Sequence, residues 1–175
     1  MQDEDRLKAA WNQKTIPVAL RRDGKGEQVR VRLPYADDNY AWLRNGRRIR
    51  PIWNPTLSCW EIPKAWFNDL VNRCLGRWGR IYVIQPYQEQ EICAPACMNA
   101  IGHECQCSCM GANHGQGDDG GWFSTSEAFA ARWGDRQLAC RLMAVEADKE
   151  RSTLSRRASS CFAPPEAKQP RSLVS

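Results

Sequence analysis

Residues 92–121 constrain this chain more than any other stretch. They hold five cysteines, Cys93, Cys97, Cys105, Cys107 and Cys109, within seventeen residues, set among Gly, Asn, Asp and His. Few aliphatic side chains accompany them, so the segment cannot bury a core of its own, and some other source of free energy must order it. The N-terminus MQDEDRLKAAW has no apolar stretch of the signal-peptide kind. The expected setting is therefore cytoplasmic and reducing, where clustered cysteines point to metal rather than disulfides.

The spacing is C-x3-C-x7-C-x-C-x-C-x4-H, ending at His114 and with His103 as a spare. Zinc takes four N or S ligands at tetrahedral corners, usually as two local pairs joined by a loop. Cys93 and Cys97 share a face on a helical turn, and Cys105, Cys107 and Cys109 share one if extended. The first and last of those three would then lie ~13 Å apart, too far for one ion unless the chain curls. The expected ligands are thus Cys93 and Cys97 with two of the later group, His114 included. Glycines 102, 111, 115 and 117 allow the backbone to wrap an ion. An iron-sulfur cluster is the rival to zinc, because thiolates suit both. Cys59, Cys74 and Cys140 sit in apolar elements and Cys161 in the tail, and all four read as ordinary thiols.

Charge divides the chain. The net charge is +5, yet residues 20–80 carry 13 bases and 6 acids, and residues 81–147 carry 3 bases and 8 acids. A basic region concentrates polyanions by counterion release, so nucleic acid is the leading partner for residues 20–80. Five of the eight tryptophans fall between 42 and 78, interleaved with arginines. Exposed aromatics beside Arg can stack on bases while the guanidinium meets phosphate. Trp42, Trp60 and Trp66 are expected in the core, since a small module needs large side chains. The surface candidates are Arg30, Arg32, Tyr35, Tyr40, Arg44, Arg47, Arg48, Arg50 and Trp53.

Local pattern gives an α+β fold. VRVRL at 29–33 alternates as a half-buried strand, and NYAWLRN before Gly46 reads as a short helix. Strands are expected over 47–53 and 59–62, a helix from Pro63 to about Leu75 ending at Gly76, and a buried strand over 80–85. The order is β-α-β-β-α-β. Residues 122–147 are expected as an apolar hairpin turning at Gly134-Asp135 and packing on that module. The domain reading is an N-terminal helix and linker (1–27), the basic aromatic module (28–91), the zinc knuckle (92–121), the extension (122–147) and a disordered basic tail (148–175). No apolar run approaches the ~18 residues that cross a bilayer.

The pattern LPY…NYAWLRNGRRIRPIWNPTLSCWEIP resembles the small module appended to annealing helicases, the HARP domain. The matching residues are Pro34, Tyr35, Trp53, Pro55, Trp60, Ile62 and Pro63. The resemblance covers about residues 28–85 and implies DNA binding at junctions of single and double strands, DNA rather than RNA. No helicase motor accompanies the module here. The block CAPACMNAIGHECQCSCMGANHG is similar to uncharacterised proteins of actinobacterial phages and plasmids, which implies a mobile-element origin.

The expected function is that of a non-enzymatic, zinc-containing nucleic-acid-binding accessory protein. A host-factor-binding zinc module is the alternative. A metal-dependent nuclease using His114, Asp118 and Asp119 is the third reading, disfavoured because the two adjacent carboxylates lie in a Gly-rich run. No phosphate-binding loop, nucleophile elbow or H-E-x-x-H motif occurs.

Overall fold

Among the described residues seven strands form a single sheet in the order β3-β4-β2-β1-β5-β7-β6. The structure, a computed structural model, describes residues 2–88, 102–104 and 123–145. In chain order the elements are α1 (Asp3–Asn12), β1 (Val18–Leu20), β2 (Val29–Arg32), α2 (Asn39–Arg44), β3 (Ile52–Asn54) and β4 (Cys59–Ile62). A 3-10 turn (Lys64–Trp66) then leads into α3 (Phe67–Trp78), followed by β5 (Arg80–Pro86), β6 (Phe123–Trp133) and β7 (Arg136–Val145). Only β1 and β5 pair in parallel; the other neighbours are antiparallel.

The two-residue period of each strand sorts side chains onto two faces. One face carries Ala19, Val29, Val31, Ile62, Ile81, Val83 and Met143 and packs against Phe67, Leu70, Val71, Cys74 and Leu75 of α3. The other carries Val18, Leu20, Cys59, Ile84, Phe129 and Cys140 and is covered by Leu7, Ala10 and Trp11 of α1. Helix α1 forms because that apolar triplet recurs at helical spacing, with Asp3, Glu4 and Asp5 in its first turn to meet the helix dipole. Helix α3 ends at Gly79, whose left-handed φ of 74° lets its N–H reach the Leu75 carbonyl at 2.9 Å.

The mixed α+β architecture and the 59–62 and 80–85 strands agree with the sequence reading. The hairpin at Gly134-Asp135 also forms, and β7 pairs along β5 from Arg80↔Ala144 to Pro86↔Leu138. Residues 123–145 therefore do not merely pack on the module; the hairpin extends the same sheet. Three local readings are corrected. Residues 47–51 are not strand, because the Arg47 N–H turns back to the Arg44 carbonyl at 2.9 Å and Pro51 has no N–H to give a ladder. Helix α3 runs through Gly76 to Trp78, since Gly76 lies on the solvent side and the buried face continues beneath it. Residues 18–20, placed in a linker, are a strand buried on both faces. The tail at 148–175 and the cysteine ligands lie outside the described residues. Among the described residues no helix is long and apolar enough to cross a membrane.

Candidate functional site

Strand β1 begins where β2 ends, as the pair Val18↔Arg32 shows. Beyond that end of the sheet lies a cleft of about 800 Å³. Its walls come from the end of α1 (Asn12, Gln13, Lys14), the exit of β2 (Arg32, Leu33, Tyr35) and the start of α2 (Asn39, Tyr40). Strands β3 and β4 complete it with Trp53 and Trp60. Tyr35 is 91% exposed, Trp53 48% and Tyr40 38%, so the three aromatics expected at the surface are there and line one cavity. Trp60 packs edge-on to Trp53 at 5.2 Å and tilted to Tyr40 at 6.0 Å, forming the base of an aromatic wall. It was expected in the core; it is half-buried and does both jobs.

The cleft's polar groups are few. The Tyr35 hydroxyl donates to Asp37 Oδ1 at 2.8 Å. Asn39 donates through Nδ2 to the Pro34 carbonyl at 2.9 Å, while its Oδ1 is buried without a hydrogen-bond partner. Buried acceptors left unmet cost free energy. Asp37 sets a negative charge beside the positive Lys14 and Arg32.

Arg32 builds the cleft. It donates from Nη1 to the Trp11 carbonyl at 3.0 Å and to Asn12 Oδ1 at 2.9 Å, and from Nη2 to the Leu57 carbonyl at 2.7 Å. Its guanidinium lies 4.4 Å from the Trp11 ring centroid. Two segments, the end of α1 and the turn between β3 and β4, are thereby fixed to β2, and burial pulls the Arg32 pKa below its ordinary value.

The other arginines sort into two groups. Arg47 pairs with Asp69 at 2.7 Å and stacks 4.5 Å over Trp66. Arg73 lies 4.1 Å over Trp42 and donates to the Trp42 carbonyl, and Arg77 lies 4.7 Å over Trp78. The interleaving of Arg and Trp in the sequence is thus largely internal cation–π packing. Arg30 faces Glu61 at 3.6 Å, and Arg44 donates to the Arg47 carbonyl at 3.0 Å. Arg48 and Arg50, exposed and just before β3, form no ion pair among the described residues.

Of the metal candidates, Cys93, Cys97, Cys105, Cys107, Cys109 and His114 lie outside the described residues. Among the described residues no group of His, Cys, Asp and Glu is placed to hold a metal ion. Cys59, Cys74 and Cys140 are buried free thiols in the sheet and α3. Burial, with a smaller push from Glu127, raises the Cys140 thiol to about 12. His103 is 4% exposed and its ring is engaged at Nε2 by Asn72 Oδ1 at 2.7 Å.

Sequence reasoning missed Lys14 and Asn39 as cleft residues. Lys14 sits in a stretch with no pattern, and Asn39 reads only as the first residue of the short helix NYAWLRN. The fold defines the class of this chain, a mixed α/β protein with one seven-stranded sheet. It matches no known protein family, no curated protein and no solved structure.

Proposed function

We propose that this is a non-enzymatic nucleic-acid-binding protein whose cleft takes unpaired bases. The observation that carries the reading is the shared cleft of Tyr35, Tyr40 and Trp53, exposed while the neighbouring tryptophans are stacked by the protein's own arginines. Every base has a π face, so an aromatic wall accepts bases without regard to sequence. The backbone of the strand would run along the exposed Arg48 and Arg50 beside it. The resemblance to the annealing-helicase module supports the same face, because Tyr35, Trp53 and Trp60 of the matching pattern line the cleft. The cysteine segment, in this reading, holds a structural zinc ion and takes no part in stacking.

Titration of tryptophan fluorescence with a single-stranded oligodeoxynucleotide tests the reading, with a blunt duplex as comparison. Single strand should quench the signal and bind more tightly. Trp53→Ala and Tyr35→Ala should each weaken binding by about fivefold or more, since one base–aromatic stack is worth ~1–3 kcal/mol. Wild-type affinity in both variants would overturn the assignment of the cleft. Ile49 and Ile52, 57% and 55% exposed, favour a second reading, an apolar protein contact along edge strand β3. Ile52→Asp should abolish that contact and leave oligonucleotide affinity intact.

A further inference from the structure

An aromatic wall is indifferent to the base that lies on it, but the cleft as a whole is not. Two charged side chains of opposite sign line the cavity, Asp37 and Lys14. Both are exposed, and no ion pair joins them to each other or to any other described residue. Asp37 is nevertheless held in place. Its Oδ1 accepts from the Tyr35 hydroxyl at 2.8 Å, which ties the carboxylate to the edge of one of the rings that line the cleft. A carboxylate only accepts, and its two oxygens offer about four lone-pair sites. The Tyr35 bond uses one of these, so both oxygens keep capacity for a ligand. Lys14 is the complement, because an ammonium only donates. The third charged group, Arg32, is committed to the Trp11 and Leu57 carbonyls and to Asn12 Oδ1.

The bases differ in what they present to a paired acceptor. On its Watson–Crick edge guanine carries two adjacent donors, N1–H and N2–H, with the O6 acceptor next to them. The two oxygens of one carboxylate can take both donors at once, as they take the fork of an arginine. Adenine and cytosine present one exocyclic amino group beside a bare ring nitrogen, whose lone pair repels the second oxygen. Thymine and uracil place their single N3–H between two carbonyl oxygens, which repel a carboxylate from both sides. An ammonium adds to the same choice, since lysine donates to guanine O6 and N7. Bases of a single strand have these edges free.

We propose that the cleft selects guanine in a single strand, with Asp37 as the specificity-determining residue and Lys14 as the donor to O6. The proposal rests on the base-binding reading above and narrows it. Tyr35 joins the two tasks, since its ring stacks and its hydroxyl sets the carboxylate. Stacking area alone would treat the two purines alike; the edge separates them.

The test titrates tryptophan fluorescence of the full chain with oligothymidylates of equal length that carry one central dG, dA or dC, and with the plain oligothymidylate. The dG oligomer should bind about tenfold more tightly than the dA oligomer, the difference made by one added bond to a charged group. Asp37→Asn replaces one of the two acceptors by a donor, so the ratio of dG to dA affinity should fall close to one. Asp37 is exposed, so this substitution carries little risk to folding. Equal affinity of the wild type for dG and dA would overturn guanine selection and leave base binding standing. Failure of every oligomer to bind would overturn the base-binding reading, and this one with it. A dG preference that survives in Asp37→Asn would overturn the role of Asp37. Guanosine monophosphate, added as competitor, should displace the dG oligomer only when in large excess. Displacement at equal concentration would overturn the strand as the source of the base.

Discussion

The cleft and the polar cluster around His103 occupy opposite ends of the same sheet. In that cluster the His103 N–H donates to Asn68 Oδ1 at 2.8 Å, the His103 carbonyl accepts from Arg141 Nη2, and Glu104 Oε2 accepts from Arg21 Nη2 at 2.7 Å. The cleft opens where β1 starts and β2 ends; Arg21 of the cluster follows β1 and takes its N–H to the Ile84 carbonyl near the end of β5 at 2.8 Å. Their exposure is also opposite. The cleft exposes large rings and leaves an acceptor of Asn39 unmet. At the other end His103, Arg21 and Arg141 are withdrawn from water, although Arg21 Nε and Nη1 stay buried without a hydrogen-bond partner. The difference lies in the exposure of side chains and not in hydrogen bonds left unmet, since both ends keep buried polar atoms without a partner. Helix α3 touches both ends. Its first half carries Asn68 and Asn72, and its last turn carries Arg77, which is paired with Asp38 beside the cleft at 2.8 Å.

The largest expected effect falls on the cleft's frame. Arg32→Ala removes three hydrogen bonds and a stacked cation at once, and hydrogen bonds to a charged group are worth ~1.5–3 kcal/mol each before non-additivity. A loss of about 2–3 kcal/mol in urea denaturation is expected, with oligonucleotide binding weakened and hydrogen exchange at the His103 amide unchanged. If His103 loses protection as well, the two ends are one cooperative element and the contrast fails.

A smaller effect is expected from Arg48 and Arg50. Replacing both by Ala should flatten the dependence of log affinity on log salt by about 1.4 for a single strand, since each phosphate contact contributes ~0.7. Stability should hold, because neither side chain pairs with anything in the described fold. An unaltered salt slope would move the path of the backbone elsewhere.

Acid should loosen the cleft end gently. The Asp38 carboxyl is held below its ordinary value of 3.8, chiefly by its hydrogen bond from Arg77. A depressed carboxylate stabilises the fold above its unfolded pKa and stops doing so as the pH falls through the folded one. Any stability lost through this pair is therefore lost only below about pH 4, and Asp38→Asn should remove that part of the acid response. The pair is at the surface, so the change will be small. The smallest expectation is none: chelating metal should leave oligonucleotide affinity at the cleft unchanged within the error of the titration. A clear fall in affinity would show that bound metal acts on the cleft.

The contrast also explains how much could be read from the sequence. Tyr35, Tyr40 and Trp53 lie within nineteen residues, on a stretch with clear alternation and punctuation, so their exposure followed from local pattern. Strand β4 and the β6–β7 hairpin were legible for the same reason. The 47–51 strand was misread because Arg-rich alternation resembles a strand until Pro51 and the Arg47–Asp69 pair are seen. Strand β1 was missed because three residues carry no period. The roles of Arg30, Arg32 and Arg47 depend on Glu61, Leu57 and Asp69, partners chosen by the fold. The His103 cluster had no local signal, since its residues at 21, 68, 72, 103 and 141 lie far apart in the chain and meet only in the fold.

Strand β1 has a consequence for how the fold comes apart. On one side of it lie β3, β4 and β2; on the other lie β5, β7 and β6. Its pairings to β2 and to β5 are three residues long on each side, Val18↔Arg32 to Leu20↔Arg30 and Val18↔Tyr82 to Leu20↔Ile84. Within the sheet, all coupling between the two halves passes through Val18, Ala19 and Leu20 and the bonds that flank them. Those residues act as a keystone: disrupting them would leave two three-stranded sheets resting on α3. Melting of such a chain would divide into two steps, one for each half, where the intact sheet unfolds as a unit.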